Sequence, residues 1–232
     1  MEIKDPREIL KTSKSKFAEI YTNESLRDTG GTLANFMMNH SHAFLEKISS
    51  RSKSDYILEL GANDDSHLKH IRGYSKYLIT DAKTDILQNK KIDQKYPDIE
   101  IRSVDASRVL DYFRSNTFDR VIACNLLEHL PNPEKVLLDW YELIKPGGVV
   151  SLLQPCDPGI MWRIGRNLGP RKGLKSKNIN YDLLMSLEHI NPINNILNIS
   201  SEVFPETKFK YFPFNIPSWN INLFVGIEIR KI

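Results

Sequence analysis

Residues 57–65 read Ile57-Leu58-Glu59-Leu60-Gly61-Ala62-Asn63-Asp64-Asp65. A short apolar run reaches an acid and a glycine, then turns into polar residues able to start a helix. A buried parallel strand followed by a helix gives this pattern. In an open α/β sheet the carboxyl end of such a strand opens onto a crevice where a nucleotide-like ligand sits. Glu59 lies near the strand end and Gly61 in the turn. Both are candidate ligand contacts.

Outward from this stretch the same unit recurs. A strand at 55–60 is followed by an expected helix at 64–71, with Leu68 and Ile71 facing inward. A second strand at 77–80 ends in Asp81, and a helix at 85–96 closes before Pro97. A third strand at 99–104 ends in Asp105, with a short helix at 106–113. A fourth at 118–123 runs into Cys124 and Asn125. Asn132, Pro133 and Glu134 then mark a helix start, and Val136, Leu137, Trp140, Leu143 and Ile144 form its apolar stripe. Lys145-Pro146-Gly147-Gly148 stops that helix before a fifth strand at 149–153. Repeated strand–helix alternation predicts an α/β fold, a doubly wound and mostly parallel sheet with helices on both faces.

The flanks read differently. Residues 1–28 are polar and lysine-rich, as expected of one or two short helices lying on the domain. After Gly30, Gly31 and a capping Thr32, the apolar residues Leu33, Phe36, Met37, Phe44 and Ile48 share a helical stripe with His40. His42 falls on the opposite side. Residues 155–180 carry four glycines and three prolines among Arg163, Arg166, Arg171 and Lys172, and are expected to form an irregular substrate loop. Helices follow at 181–188 and after Asn191-Pro192. Two β-rich runs at 208–214 and 220–230, split by Pro217, predict an antiparallel hairpin. The domain plan is an N-terminal helical extension or lid over 1–50 and a main domain over 51–232, with a substrate-loop insert at about 155–200.

Composition bounds the chemistry. With 232 residues, 41% hydrophobic and 26% charged, the chain can bury a core and does not resemble a disordered segment. A net charge of +3 is too small to argue for nucleic acid, and none is expected. The two cysteines, Cys124 and Cys156, make neither a disulfide framework nor a metal quartet, so no metal is expected. They suggest a reducing compartment. No apolar run approaches the roughly 20 residues that span a bilayer, and the charged first 16 residues are not expected to act as a leader. The expected location is the cytoplasm, with the inner face of the membrane as an option for the basic segments.

Glu59, Asp81 and Asp105 end three successive strands, so a parallel sheet brings all three to one edge. A carboxylate after the second strand suits the two vicinal hydroxyls of a ribose. One after the third can accept from an adenine amino group. Asn63, Asp64 and Asp65 stand where a phosphate cradle would want glycines and no negative charge. The residues therefore favour an adenosine ligand without phosphates, and a cationic sulfonium most of all.

At this point the residues resemble a known family. Residues 57–65, 80–81, 104–106, 118–130 and 143–148 together are similar to the class I S-adenosylmethionine-dependent methyltransferases. The Phe-Asp-x-Val-x-x-x-x-x-Leu-Glu-His-Leu stretch and the Leu-Ile-Lys-Pro-Gly-Gly that follows are its most specific part. The resemblance implies a seven-stranded sheet ending in the hairpin, with S-adenosylmethionine as donor and S-adenosylhomocysteine as product. It implies donor contacts from Glu59, Gly61, Ala62 and Asn63, from Asp81 and Ala82 at the ribose, from Asp105 and Ala106 at the adenine, and from Asn125 and Leu126 beside the sulfonium. His129 matches a position that is often structural. The family's first motif usually has two further glycines where this chain has Asn63 and Asp65. Asn tolerates left-handed backbone angles, whereas Asp65 is expected to add bulk and charge beside the ligand.

The C-terminal half resembles methyltransferases of bacterial surface-polysaccharide biosynthesis, on residues 155–166, 188–192, 217–219 and 222–224. This implies a small-molecule or glycan acceptor, a sugar hydroxyl above all. A hydroxyl loses its proton as the methyl arrives, and a histidine suits that task near neutral pH. His189, beside Glu188, is the candidate catalytic base. Arg163, Arg166 and His42 are candidate acceptor contacts. A non-catalytic binding module on the same fold, or a lipid N-methyltransferase at a membrane surface, are the alternative readings.

Overall fold

The computed structural model describes residues 5, 7–8, 10–15, 31–49, 55–83, 87–88, 91–168, 170–175 and 179–232. Expectations for residues 16–30 and for the side chains of Thr32 and Leu33 lie outside them. Seven strands form one sheet: β1 (Tyr56–Leu60), β2 (Lys76–Asp81), β3 (Ile99–Ser103), β4 (Phe118–Cys124), β5 (Ile144–Pro155), β6 (Thr207–Phe212) and β7 (Phe224–Arg230). Their order is β3-β2-β1-β4-β5-β7-β6. The first five are parallel, and β7 runs antiparallel to both β5 and β6. This is the seven-stranded α/β architecture that the resemblance implies, C-terminal antiparallel strands included. The chain builds outward from β1 in one direction, then restarts at β4 in the other. The switch between β1 and β4 is where such sheets open a binding crevice.

Period-two alternation in β1 divides the core. Leu58 and Leu60 face one side of the sheet and Ile57 the other, all fully buried. Against the first face packs helix α3 (Pro133–Leu143), after the main helix α1 (Gly31–Ile48) and the single turn α2 (Ile92–Lys95). α3 buries Val136, Leu137, Trp140 and Leu143, each contributing about 1.5–3 kcal/mol. Trp140 Nε1 donates to Ala106 O at 2.8 Å, pinning the loop after β3 to this helix. Asp119 locks the strand starts: its carboxylate accepts from Tyr56 N at 2.8 Å and Lys145 Nζ at 2.9 Å. Asn132 heads α3 in a left-handed conformation (φ 53°) without the expected side-chain cap.

Three expectations need correction. The helix expected over 64–71 is only a 3₁₀ turn at Leu68–His70. Asp64 Oδ1 takes Ser66 N at 2.8 Å, a local bond that competes with helix formation. The His67 side chain meanwhile is drawn to Glu46 at 3.1 Å. The insert at 155–180 is also not irregular, for it carries α4 (Ile160–Leu168) and α5 (Pro170–Lys175). α6 (Tyr181–Glu188) and α7 (Ile193–Val203) follow. Lastly, α1 buries a face rotated from its apolar stripe. Ser41, His42 and Leu45 are buried, whereas Phe36 is 54% exposed. Leu45, with Phe44 and Ile48 of the expected stripe, packs on the sheet around Gly226, while Glu46 reaches Arg120 and His42 reaches His67, so the inward face takes in polar side chains as well.

The turn into α4 is tight. A Cβ on Gly159 would lie 2.6 Å from both Cys156 O and Trp219 O, which are backbone atoms. Gly159→Ala is expected to destabilise the fold by about 1–3 kcal/mol, the usual cost of overpacking. A denaturant midpoint unchanged from the parent would contradict this packing.

Candidate functional site

At the carboxyl ends of β1, β2 and β4 lies a crevice of about 480 Å³. Glu59, Gly61, Ala62, Asn63, Asp81, Ala82, Asp105, Ala106, Asn125 and Leu126 all line it. Met38 and His42 of α1, with His129 and Glu188, line it as well. The three strand-end acids thus meet at one rim.

Local geometry explains each position. Gly61 has φ +61°, and a Cβ there would meet the Leu126 side chain at 2.7 Å. Asn63 takes the same left-handed region at φ 57°. Its N–H donates to Asp81 Oδ2 at 3.1 Å, and Lys83 N donates to Asp81 Oδ1 at 3.0 Å. Asp105 caps the 3₁₀ turn Ala106–Asp111, accepting from Ser107 N at 2.9 Å and Ser107 Oγ at 2.7 Å. These bonds fix the carboxylates while leaving lone pairs for a ligand. Asn63 Oδ1 and Asn125 Oδ1 are buried and have no hydrogen-bond partner among the described residues. Orphaned acceptors on the crevice wall suit a ligand rich in hydroxyl and amino donors, and the chemistry of an adenosine with a cationic tail fits. Asp65 does not intrude. It pairs with Lys95 and accepts from Tyr96 OH at 3.2 Å, and it is not among the lining residues.

Glu59 is 2% exposed and accepts from Tyr77 OH at 2.5 Å. Burial pushes its carboxyl up to about 8, with the Tyr77 bond offsetting part of the rise. A bound cation beside it would favour the ionised form.

A second group of side chains borders the crevice. His129 Nδ1 donates to Glu188 O at 2.9 Å, which leaves Nε2 as a lone pair. His189 Nδ1 donates to Asp157 Oδ2 at 2.8 Å, which does the same for its Nε2. The two rings meet edge to face with centroids 5.0 Å apart. Burial, then the neighbouring His189, lowers His129 to about 4. Burial would raise Asp157, but the His189 bond and the Arg166 charge hold it below its ordinary value. Histidine 129, carried in the sequence only as a structural position, is the ring on the crevice wall. His189, the expected base, stands behind it. The spacing of residues 129 and 189 gives no hint that they meet.

Arg163 and Arg166 are not on the crevice wall. Arg166 donates to both Asp157 oxygens at 3.1 and 3.2 Å and lies over the Tyr181 ring. Its charge is already committed, so it is not free to hold an anionic acceptor. Arg163 is exposed on α4. His42 is buried, 3.3 Å from His67, and lines the crevice.

Glu128, buried beside His129, is pushed up to about 7 by burial, with His189 opposing the rise. A carboxyl raised on folding contributes stability that is complete below its unfolded value near 4.5 and is lost as pH rises through about 7. Between pH 4.5 and 7 the parent should therefore lose melting temperature relative to Glu128→Gln, a difference that stands apart from the opposite contribution of His42, His67 and His129, whose lowered values make stability rise with pH. Glu59 shifts the same way as Glu128 and contributes equally to both proteins. A slope unchanged in Glu128→Gln would contradict the assignment.

Comparison with known proteins gives the same picture. Residues 58–152 match a family model described as a methyltransferase domain. A curated relative, the highly reducing polyketide synthase pspA of Penicillium soppii, is 30% identical over 145 residues. That alignment takes in 56% of this chain and 6% of the relative, so the chain spans about one twentieth of the curated relatives it matches. Among solved structures, the trans-methyltransferase CalH in complex with S-adenosylhomocysteine superposes with TM-score 0.62 at 16% identity, over 93% of this chain and 62% of that one. The CurJ carbon methyltransferase gives 0.60 at 16% identity, over 90% and 58%. At these identities the structural likeness is one of fold. The matched domain and the fold it shares with a neighbour crystallised with S-adenosylhomocysteine make S-adenosylmethionine the methyl donor. Residues 58–152 therefore carry a methyltransferase domain, set in a seven-stranded sheet of the class I S-adenosylmethionine-dependent methyltransferase type.

Proposed function

We propose that the chain transfers the methyl group of S-adenosylmethionine to an acidic carbon of a small acceptor, of the kind flanked by carbonyl groups. The observation that carries the donor half is the single rim formed by Glu59, Asp81 and Asp105. Asp81 would take the ribose hydroxyls and Asp105, with Ala106, the adenine side. Ala62, Asn63, Ala82, Asn125 and Leu126 would close the walls, with Glu59 and Gly61 under the methionine end. The donor supplies a methyl already activated on a sulfonium. The protein then has to bind and orient both partners and take one proton.

The imidazole pair suits that proton. His129 and His189 each keep Nε2 free to accept it, since the Nδ1 of each donates to a fixed oxygen. Asp157 fixes the His189 ring through its Nδ1, so that Nε2 is the position left to take the proton. General-base assistance of this kind contributes about 10²–10⁴-fold.

A carbon acceptor is favoured over the sugar hydroxyl expected from the sequence. The curated relatives are polyketide synthases, whose chains carry carbons made acidic by adjacent carbonyls. Among the described residues no arginine lines the crevice to hold a sugar phosphate. Among the described residues no helix is long and apolar enough to cross a membrane, and the lipid reading has no observation of its own. The test is methyl transfer from labelled donor to a β-ketoacyl thioester and, in parallel, to sugar nucleotides. Label on the thioester's α-carbon supports the reading. Label on a sugar oxygen alone would overturn it.

A further inference from the structure

A cluster at the floor of the crevice is used by none of the steps above. His42 from α1, His67 from the turn after β1 and Cys124 at the end of β4 bring their ligand atoms within 4.8 Å of one another. His42 Nδ1 and His67 Nδ1 lie 3.3 Å apart. Two nitrogens on one tetrahedral zinc, each about 2.0–2.1 Å from it, are separated by about 3.3–3.4 Å. We propose that His42, His67 and Cys124 form a three-ligand site for a zinc-like cation, with its fourth position opening to the crevice.

The surroundings are those of a built site. Glu46 Oε1 lies 3.1 Å from His67 Nε2, so Nε2 carries the proton and Nδ1 offers its lone pair. Carboxylate-to-histidine bonds of this kind orient metal-bound imidazoles. Glu46 is itself held by Arg120 NH1 at 2.6 Å, and Arg120 Nε donates to Ser151 Oγ at 2.9 Å. The His67 ring is therefore fixed by a chain of bonds reaching into the sheet. His42 and Cys124 line the crevice, which gives an ion its way in. The donor set, two imidazoles and a thiolate, favours zinc over magnesium or calcium. On binding, Cys124 releases its thiol proton to solvent and His42 keeps its own on Nε2. The ligands come from residues 42, 67 and 124, so no sequence spacing announces them.

The experiment uses the full chain, stripped of metal with a chelator and titrated with cobalt(II), then zinc(II). One equivalent of cobalt should give a thiolate charge-transfer band in the near ultraviolet and strong visible bands of a tetrahedral ion, both removed by zinc. Cys124→Ser should lose the charge-transfer band and bind zinc at least tenfold more weakly. Cys156→Ser, which alters the other of the two cysteines, should keep the band. His42→Gln should weaken binding with its circular dichroism unchanged. Failure of the wild-type chain to take up stoichiometric cobalt overturns the proposal without recourse to any variant. So does a band that follows Cys156.

Discussion

His189→Ala is expected to lower kcat by about 10²–10⁴-fold while leaving the affinity for S-adenosylhomocysteine near its parent value. The side chain touches Asp157 and the His129 ring and is not among the groups lining the donor rim. Its loss removes the place where the proton is held without altering the donor walls. His129→Ala should cost a similar factor, because either ring alone lacks half of the arrangement. The double variant should fall little further than the worse single one, as residues acting as a unit do. Single-turnover rates with saturating donor give the comparison. Multiplied effects in the double variant would mean that the rings act separately. Unchanged kcat in both single variants would remove the base assignment altogether.

The second large effect concerns stability. Arg120 is fully buried in β4 and reaches Glu46 of α1 at 2.6 Å, with Ser151 of β5 on its Nε. Glu46→Ala would leave a guanidinium enclosed without its counter-charge. Breaking a buried pair from one side typically costs about 3–5 kcal/mol. Replacing both members by apolar residues of similar volume, Glu46→Leu with Arg120→Met, should restore most of that loss, because both desolvation costs disappear together. Equilibrium denaturation of the single and double variants measures it. A Glu46→Ala variant as stable as the parent would contradict the burial of this pair. The same pair ties α1 to the sheet through Glu46, while the inward His42 meets His67 and the inward Ser41 donates to Met38 O of its own helix.

That helix marks the limit of what the chain discloses by pattern. Strands were legible because a buried parallel strand needs only a short apolar run, and the 57–60 run has no competing periodicity. The placing of acids 59, 81 and 105 at strand ends followed, since parallel strands share one carboxyl edge. Helix faces were less legible. The stripe through Phe36 and Phe44 assumed an apolar floor, and the floor here contains Arg120. The insert after β5 carries enough glycine and proline to look irregular, yet forms α4 and α5. Asp65 looked like an obstruction because its partners, Lys95 and Tyr96, lie 30 and 31 residues away. His129 was passed over for the same reason: what makes it chemically useful is a contact with His189, sixty residues on.

The most direct test of the account is calorimetric titration of the chain and of Asp81→Ala with S-adenosylhomocysteine. The account predicts one saturable site in the parent. It predicts a loss of about 1–3 kcal/mol in the variant, as for a hydrogen-bonded charged group left without its partner. No heat of binding at millimolar ligand, or equal affinity in the two proteins, would contradict the rim as the donor site.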